Sequence, residues 1–207
     1  MKPLLKILPF ALVILVIYAL PVSAQDDSPD GIIRHTVDEV TEILRKDDGI
    51  KAGDQDRILG LIKEKILPHF SFPRMTQLAM GKNWSKASNE QKKTVVEEFR
   101  TLLVRTYANS LTNYRDAVIE IEKTIIDPAT TRATVKAKVA QGSGRQPVPI
   151  DYSMEKTASG WKVYDVTVAG VSLVTNYRGT FNSQIRDSGI DGLIATLSEK
   201  NRSLIGQ

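Results

Sequence analysis

The chain contains no cysteine. That absence removes disulfide frameworks, thiol nucleophiles and thiolate-bound metals together. Histidine is nearly missing as well. His35 and His69 are the only two, and neither has a partner at ligand spacing, so both read as surface or packing residues and no metal is expected. Aromatic residues make up 6% of the chain and are not interleaved with basic clusters, which argues against a nucleic-acid surface. A strong excess of one charge is also lacking. The formal net charge is +4. It falls to +2, 26 basic against 24 acidic residues, once Lys2 and Lys6 leave with the leader described next. Steering by net charge is therefore a weak argument.

Only one long hydrophobic run is present. Lys2 and Lys6 precede an apolar segment from Ile7 to Leu20, Pro21 breaks it, and Val22-Ser23-Ala24 offers the small residues that a signal peptidase reads. Residues 1–24 are accordingly expected to be a cleaved export signal, placing residues 25–207 in a bacterial periplasm. Counted from Leu4, the run has 17 residues, against about 20 for a usual membrane span. The remaining 183 residues fit a single domain on the scale of about 100–200 residues each.

Motifs of catalysis are scarce. Asp54-Gln55-Asp56 opens like a calcium loop, but Ile58 and Leu59 stand where ligands and glycine belong, so a helix start is expected. Gly170-Val171-Ser172-Leu173-Val174 lacks the second glycine of a nucleophile elbow, and Ser172 reads as an N-cap. Gln141-Gly142-Ser143-Gly144-Arg145 leads into a strand and not a helix, which makes it a loop and not a phosphate cradle. No catalytic residue, cofactor or enzymatic activity is expected.

What is present is hydrophobic periodicity. Ile33, Val37, Val40 and Leu44 share a helical face over 30–46. Asp54 caps a helix carrying Ile58, Ile62 and Ile66, and a short helix runs from Pro73 to Met80 before Gly81. Ser88 and Gln91 form a capping box that opens the longest helix, 89–114, with Val95, Phe99, Leu103, Tyr107, Leu111 and Tyr114 along one stripe. From Ala117 the period changes to two. Val118–Glu122, Arg132–Gln141, the segment Val148–Met154 and Trp161–Val168 read as four consecutive strands, with Thr157–Gly160 as a hairpin connection. After Gly170, Leu173, Tyr177, Phe181 and Ile185 share a helical face. Gly189 ends that helix, and Leu193, Ile194 and Leu197 line a last one. The expected fold is α+β, an antiparallel sheet of about four strands with helices on one face. Packed tightly, these apolar stripes make a core. Splayed, they line a cavity of about 300–1,000 Å³. Periodicity leaves both open.

Two blocks carry a resemblance that bears on this choice. The first is Ile66-Leu67-Pro68-His69-Phe70-Ser71-Phe72-Pro73-Arg74-Met75-Thr76-Gln77-Leu78-Ala79-Met80-Gly81-Lys82-Asn83-Trp84, continuing through Gln91 and Phe99 to Thr106-Tyr107-Ala108. The second is Val163-Tyr164-Asp165-Val166-Thr167-Val168-Ala169-Gly170-Val171-Ser172-Leu173-Val174-Thr175-Asn176-Tyr177-Arg178, through Phe181 to Gly189-Ile190-Asp191-Gly192-Leu193-Ile194. Together they resemble the periplasmic Mla-type phospholipid-shuttle family, MlaC, also called the toluene-tolerance auxiliary family. One departure is Ser71, where that family commonly has aspartate.

The resemblance implies a carrier that holds phospholipid acyl chains in an apolar pocket, with phospholipid as cargo and no cofactor. It also implies two partners, an outer-membrane lipoprotein complex and an inner-membrane ABC transporter with an MCE-domain subunit, and a role in outer-membrane lipid asymmetry. A monomer is expected. Within it, the apolar faces nominate Phe70, Met75, Leu78, Phe99, Leu103 and Tyr107 as helical lining. Val135, Val139, Tyr152, Met154, Val166 and Val168 are nominated from the strands, and Val171, Leu173, Tyr177 and Phe181 from the last segment. Arg178, with the hydroxyls of Tyr107 and Tyr152, is nominated for a headgroup phosphate. A structural or adaptor domain with a filled core and a small hydrolase remain the competing classes.

Overall fold

Side-chain oxygens set where the helices begin. Ser28 Oγ accepts from the Gly31 amide at 3.0 Å and Pro29 stands at the first helical position. Asp54 Oδ1 accepts from the amides of Asp56 and Arg57. Ser88 and Gln91 form the expected capping box, at 3.1 and 3.0 Å, and Ser172 Oγ accepts from the Thr175 amide at 3.0 Å. Each cap satisfies amide donors that the first turn leaves free.

The computed structural model describes residues 27–140 and 146–204. The expected signal and the loop 141–145 lie outside them. The chain forms α1 (Pro29–Lys46), α2 (Asp48–Lys51), α3 (Gln55–Leu61), α4 (Phe72–Met80) and α5 (Asn89–Leu111). Strands β1 (Val118–Ile126), β2 (Arg132–Ala140), β3 (Val148–Thr157), β4 (Gly160–Val168) and β5 (Val171–Ser172) follow, and α6 (Leu173–Ser203) closes the fold. Wider and tighter turns extend α3 through Ile62–Ile66 and Leu67–His69, where Pro68 has no amide to continue the helical ladder. Another tight turn, Gly81–Lys86, joins α4 to the segment before α5.

Three expectations are refined. The sheet has five strands in the order β1-β2-β3-β4-β5, every neighbouring pair antiparallel, because Val171 and Ser172 pair back on β4. The long helix ends as α-helix at Leu111 and tightens over Thr112–Tyr114. The last two expected helices run on as one element kinked at Gly189, whose φ of 72° and ψ of −175° are accessible to glycine.

Register places the apolar strand residues in rows. Val135 pairs with Tyr152, and Tyr152 with Val166. Ala133 pairs with Met154, and Met154 with Val163. The two rows stay on one face only because the pairing shifts between Ser153 and Met154, a bulge that adds a residue to β4. On β2 the expected alternation holds: Ala133, Val135, Ala137 and Val139 are buried, and Thr134, Lys136 and Lys138 are not.

The buried side chains form three clusters. A helical cluster joins α4, α5 and α6 through Met75, Met80, Val95, Phe99, Phe181 and Leu193. A second joins the N-terminal helices to α5 through Val40, Leu44, Ile58 and Ile62. The third belongs to the sheet, with Val135, Met154, Trp161 and Val163 covered by Ile33 of α1. Helices and sheet meet along β4, where α4 and α6 pack, and along β1 and β2, where α1 packs.

Candidate functional site

The seam between the helical and sheet clusters is the candidate site, and Phe70 joins its two sides. Phe70 packs against both clusters. Its backbone bridges to Val163 of β4, the Ser71 amide donates to the Val163 carbonyl at 2.8 Å, and its ring lies 5.9 Å from that of Phe72. Beside it, Ser71 makes no cap for α4. Its hydroxyl donates instead to Glu155 Oε1 at 3.2 Å, and Arg74 Nε lies 3.6 Å from the other oxygen of the same carboxylate. An aspartate at position 71 would set two carboxylates against each other there, so serine suits this neighbourhood.

The helical wall is built from aromatics. Phe99, fully buried on α5, meets both Tyr177 and Phe181 of α6 edge to face, with centroids 4.9 Å apart in each case. Tyr177 and Phe181 lie 6.0 Å apart. These are favourable quadrupole geometries. Met75 and Leu103 are buried in the same cluster, and Leu78, Leu173 and Tyr177 pack against it. Burial, and then neighbouring Tyr107, raise the Tyr177 pKa, while the Thr106 side chain opposes the shift. The Tyr177 phenol therefore stays neutral at physiological pH.

On the sheet side Val135, Val139 and Met154 are buried, and Tyr152 and Val166 pack against the cluster that contains Val135 and Met154. Burial pushes the Tyr152 phenol up to about 12. Its hydroxyl makes no hydrogen bond to another described residue. That leaves a neutral phenol with hydrogen-bonding capacity to offer a polar atom brought by a ligand.

Three of the nominated residues do not pack inside. Tyr107, Val168 and Val171 are 47%, 43% and 63% exposed. Val168 and Val171 pair with each other across the β4–β5 hairpin, and Tyr107 neighbours Tyr177. Arg178, nominated for a headgroup, is exposed on α6. It lies against Gly81, where an added Cβ would come within 3.2 Å of its Nε and Nη2 atoms.

Val163 and Trp161 share the sheet cluster with the nominated residues, although neither was nominated. Their spacing of two within β4 carried the signal. Among the described residues no group of three or more acidic or histidine side chains could hold a metal, and no helix is long and apolar enough to cross a membrane.

Comparison with known proteins gives the following likenesses. A phospholipid-binding protein from Ralstonia solanacearum, solved in complex with a phospholipid, superposes with a TM-score of 0.76 and 34% identity, over 84% of this chain and 96% of that one. The intermembrane phospholipid transport system binding protein MlaC of Haemophilus influenzae is 25% identical over 180 residues, which is 84% of this chain and 82% of that protein. The toluene tolerance protein ttg2D of Pseudomonas putida is 25% identical over 173 residues, 83% of this chain and 79% of its own length. Residues 34–199 match the MlaC protein family. With that match spanning most of the sequence, the chain belongs to the MlaC family.

Proposed function

We propose that this protein is a periplasmic phospholipid carrier which takes acyl chains into the seam between its helices and its sheet. The observation that supports this most is the likeness, over most of both chains, to a protein solved with a phospholipid bound. The chemistry of the seam is consistent with it. Its walls are aliphatic and aromatic, the neutral Tyr152 phenol packs on its sheet side, and its rim exposes valines and a tyrosine. Each buried CH₂ contributes about 0.8 kcal/mol, so an acyl chain in water is strongly driven into such a seam. No bond need be broken in the transfer, and the protein acts as a carrier and not as an enzyme.

In this reading the leader 1–24 is cleaved and the protein diffuses as a monomer between two membranes. Its partners are an outer-membrane lipoprotein complex and an inner-membrane ABC transporter with an MCE-domain subunit, and the exchange maintains outer-membrane lipid asymmetry. Tyr107, Val168 and Val171 mark the mouth. The test is direct. Protein purified from a bacterial periplasm is extracted with organic solvent, and the extract is identified by mass spectrometry. Stoichiometric phospholipid is expected. Bare protein, both as purified and after incubation with phospholipid vesicles, rules the carrier role out.

A further inference from the structure

A second concavity lies on the outer side of α4 and α6. The turn Gly81–Lys86 and the stretch of α6 from Arg178 to Ile190 enclose a groove of about 820 Å³. Four cations line it, Lys82, Lys86, Arg178 and Arg186, and none of its lining residues is acidic. Among the described residues Lys82, Lys86 and Arg178 form no ion pair, and Arg186 pairs with its exposed neighbour Asp187 at 3.4 Å and donates to Ser183 Oγ at 2.8 Å. In a chain whose total charge is so nearly balanced, this is a local excess held in a concave shape.

The fold builds this site from several directions. Gly81, at φ 56°, lets the Arg178 guanidinium lie against the backbone where a side chain would displace it. Asn83, 7% exposed, donates to Asn182 Oδ1 at 2.9 Å and so ties the turn to α6 beneath the cations. Half-buried Ile185 and Ile190 supply an apolar floor, and the Gly189 kink bounds the far end.

We propose that this groove docks an acidic segment of a partner protein. Charge complementarity selects the sign of the partner. Shape selects its class: a polypeptide can place carboxylates at the rim and an apolar side chain on Ile185 and Ile190, whereas a bilayer presents a plane that does not reach the floor. Nucleic acid is disfavoured because the groove has no aromatic stacking platform. The docking surface goes beyond the lipid-carrier reading and does not rest on it, since peptide binding and lipid content are measured separately.

The test uses residues 25–207 and a fluorescein-labelled peptide of alternating glutamate and leucine. The peptide is expected to bind, to weaken as salt rises, and to lose roughly tenfold in affinity in a Lys82→Glu, Lys86→Glu variant. A Lys63→Glu, Lys123→Glu variant carries the same change of charge elsewhere and is expected to bind like the parent. Equal loss in both variants makes net charge the cause and overturns the proposal. So does equal binding of a lysine–leucine peptide, or binding of phosphatidylglycerol vesicles without binding of the acidic peptide. Amide chemical shifts of the unaltered protein give a readout that needs no variant. Peptide-induced shifts must concentrate in 81–86 and 178–190, and shifts concentrated elsewhere overturn the site.

Discussion

Val168 and Val171 stand opposite each other across the β4–β5 hairpin, and both turn to solvent, 43% and 63% exposed. An apolar pair at an open hairpin does little for the folded core. In a carrier it forms part of the lip that acyl chains cross. Val171→Glu is therefore expected to leave thermal stability within about 0.5 kcal/mol of the parent, as is usual for surface positions. Lipid recovered by solvent extraction should fall several-fold. Unchanged lipid content would remove Val171 from the mouth.

The turn between those valines is itself strained. Ala169 has φ 50° and Gly170 φ 83°, the paired positive values of a two-residue hairpin turn that favours Asn-Gly. Alanine holds that conformation at a cost of about 1–2 kcal/mol. Ala169→Asn is expected to raise stability by about 0.5–1 kcal/mol in chemical denaturation. A decrease would mean that the Ala169 methyl has a packing role.

Tyr152 makes a separable prediction. Its folded pKa, about 12, lies above the ordinary value near 10, so the neutral phenol is the form the fold favours. That contribution is fully present below about pH 10 and is lost as pH rises through 12. Spectrophotometric titration should show a tyrosine phase near pH 12, and Tyr152→Phe should remove that phase. Because the hydroxyl is unpartnered among the described residues, the same variant should keep its lipid-free stability within about 1 kcal/mol. Retention of phospholipid should weaken if the hydroxyl meets a lipid oxygen, and identical retention would show that it does not.

His69 responds in the opposite direction. Burial first, then nearby Lys162 and His35, lower its pKa, with Glu39 opposing; Lys162 is held there by donating to the Pro68 carbonyl at 2.7 Å. A histidine with a depressed folded pKa stabilises the fold above its unfolded pKa of about 6.5, and that contribution is lost as pH falls through the folded value. The melting temperature should drop on acidification below about pH 6.5, and His69→Gln should drop less. Parallel curves for the two proteins would assign the acid sensitivity to other groups.

Much of this architecture is legible in local chemistry. The Ser88–Gln91 box, the Asp54 and Ser172 caps and the alternation of β2 involve neighbours a few residues apart, and each appears where its spacing places it. The β4 bulge also leaves a trace: Trp161 and Val163 keep one parity, and Val166 and Val168 keep the other. The basic groove leaves none. Lys82 and Lys86 come together with Arg178 and Arg186 only when α4, its following turn and α6 pack, and about a hundred residues of chain lie between the two pairs.

By itself the sequence determined which residues are apolar, which face of each element carries them, where helices start, and which family the chain resembles. Hydrophobic spacing and capping are local, and evaluated along one dimension they suffice for that. The tertiary structure decided the rest. It divided the apolar residues into three clusters, set Phe99 against Tyr177 and Phe181, turned Val168 and Val171 outward, and laid the Arg178 guanidinium against Gly81. Periodicity reports the direction in which a side chain points, but not the distance to the surface opposite it, and that distance separates a filled core from a seam that can hold a lipid.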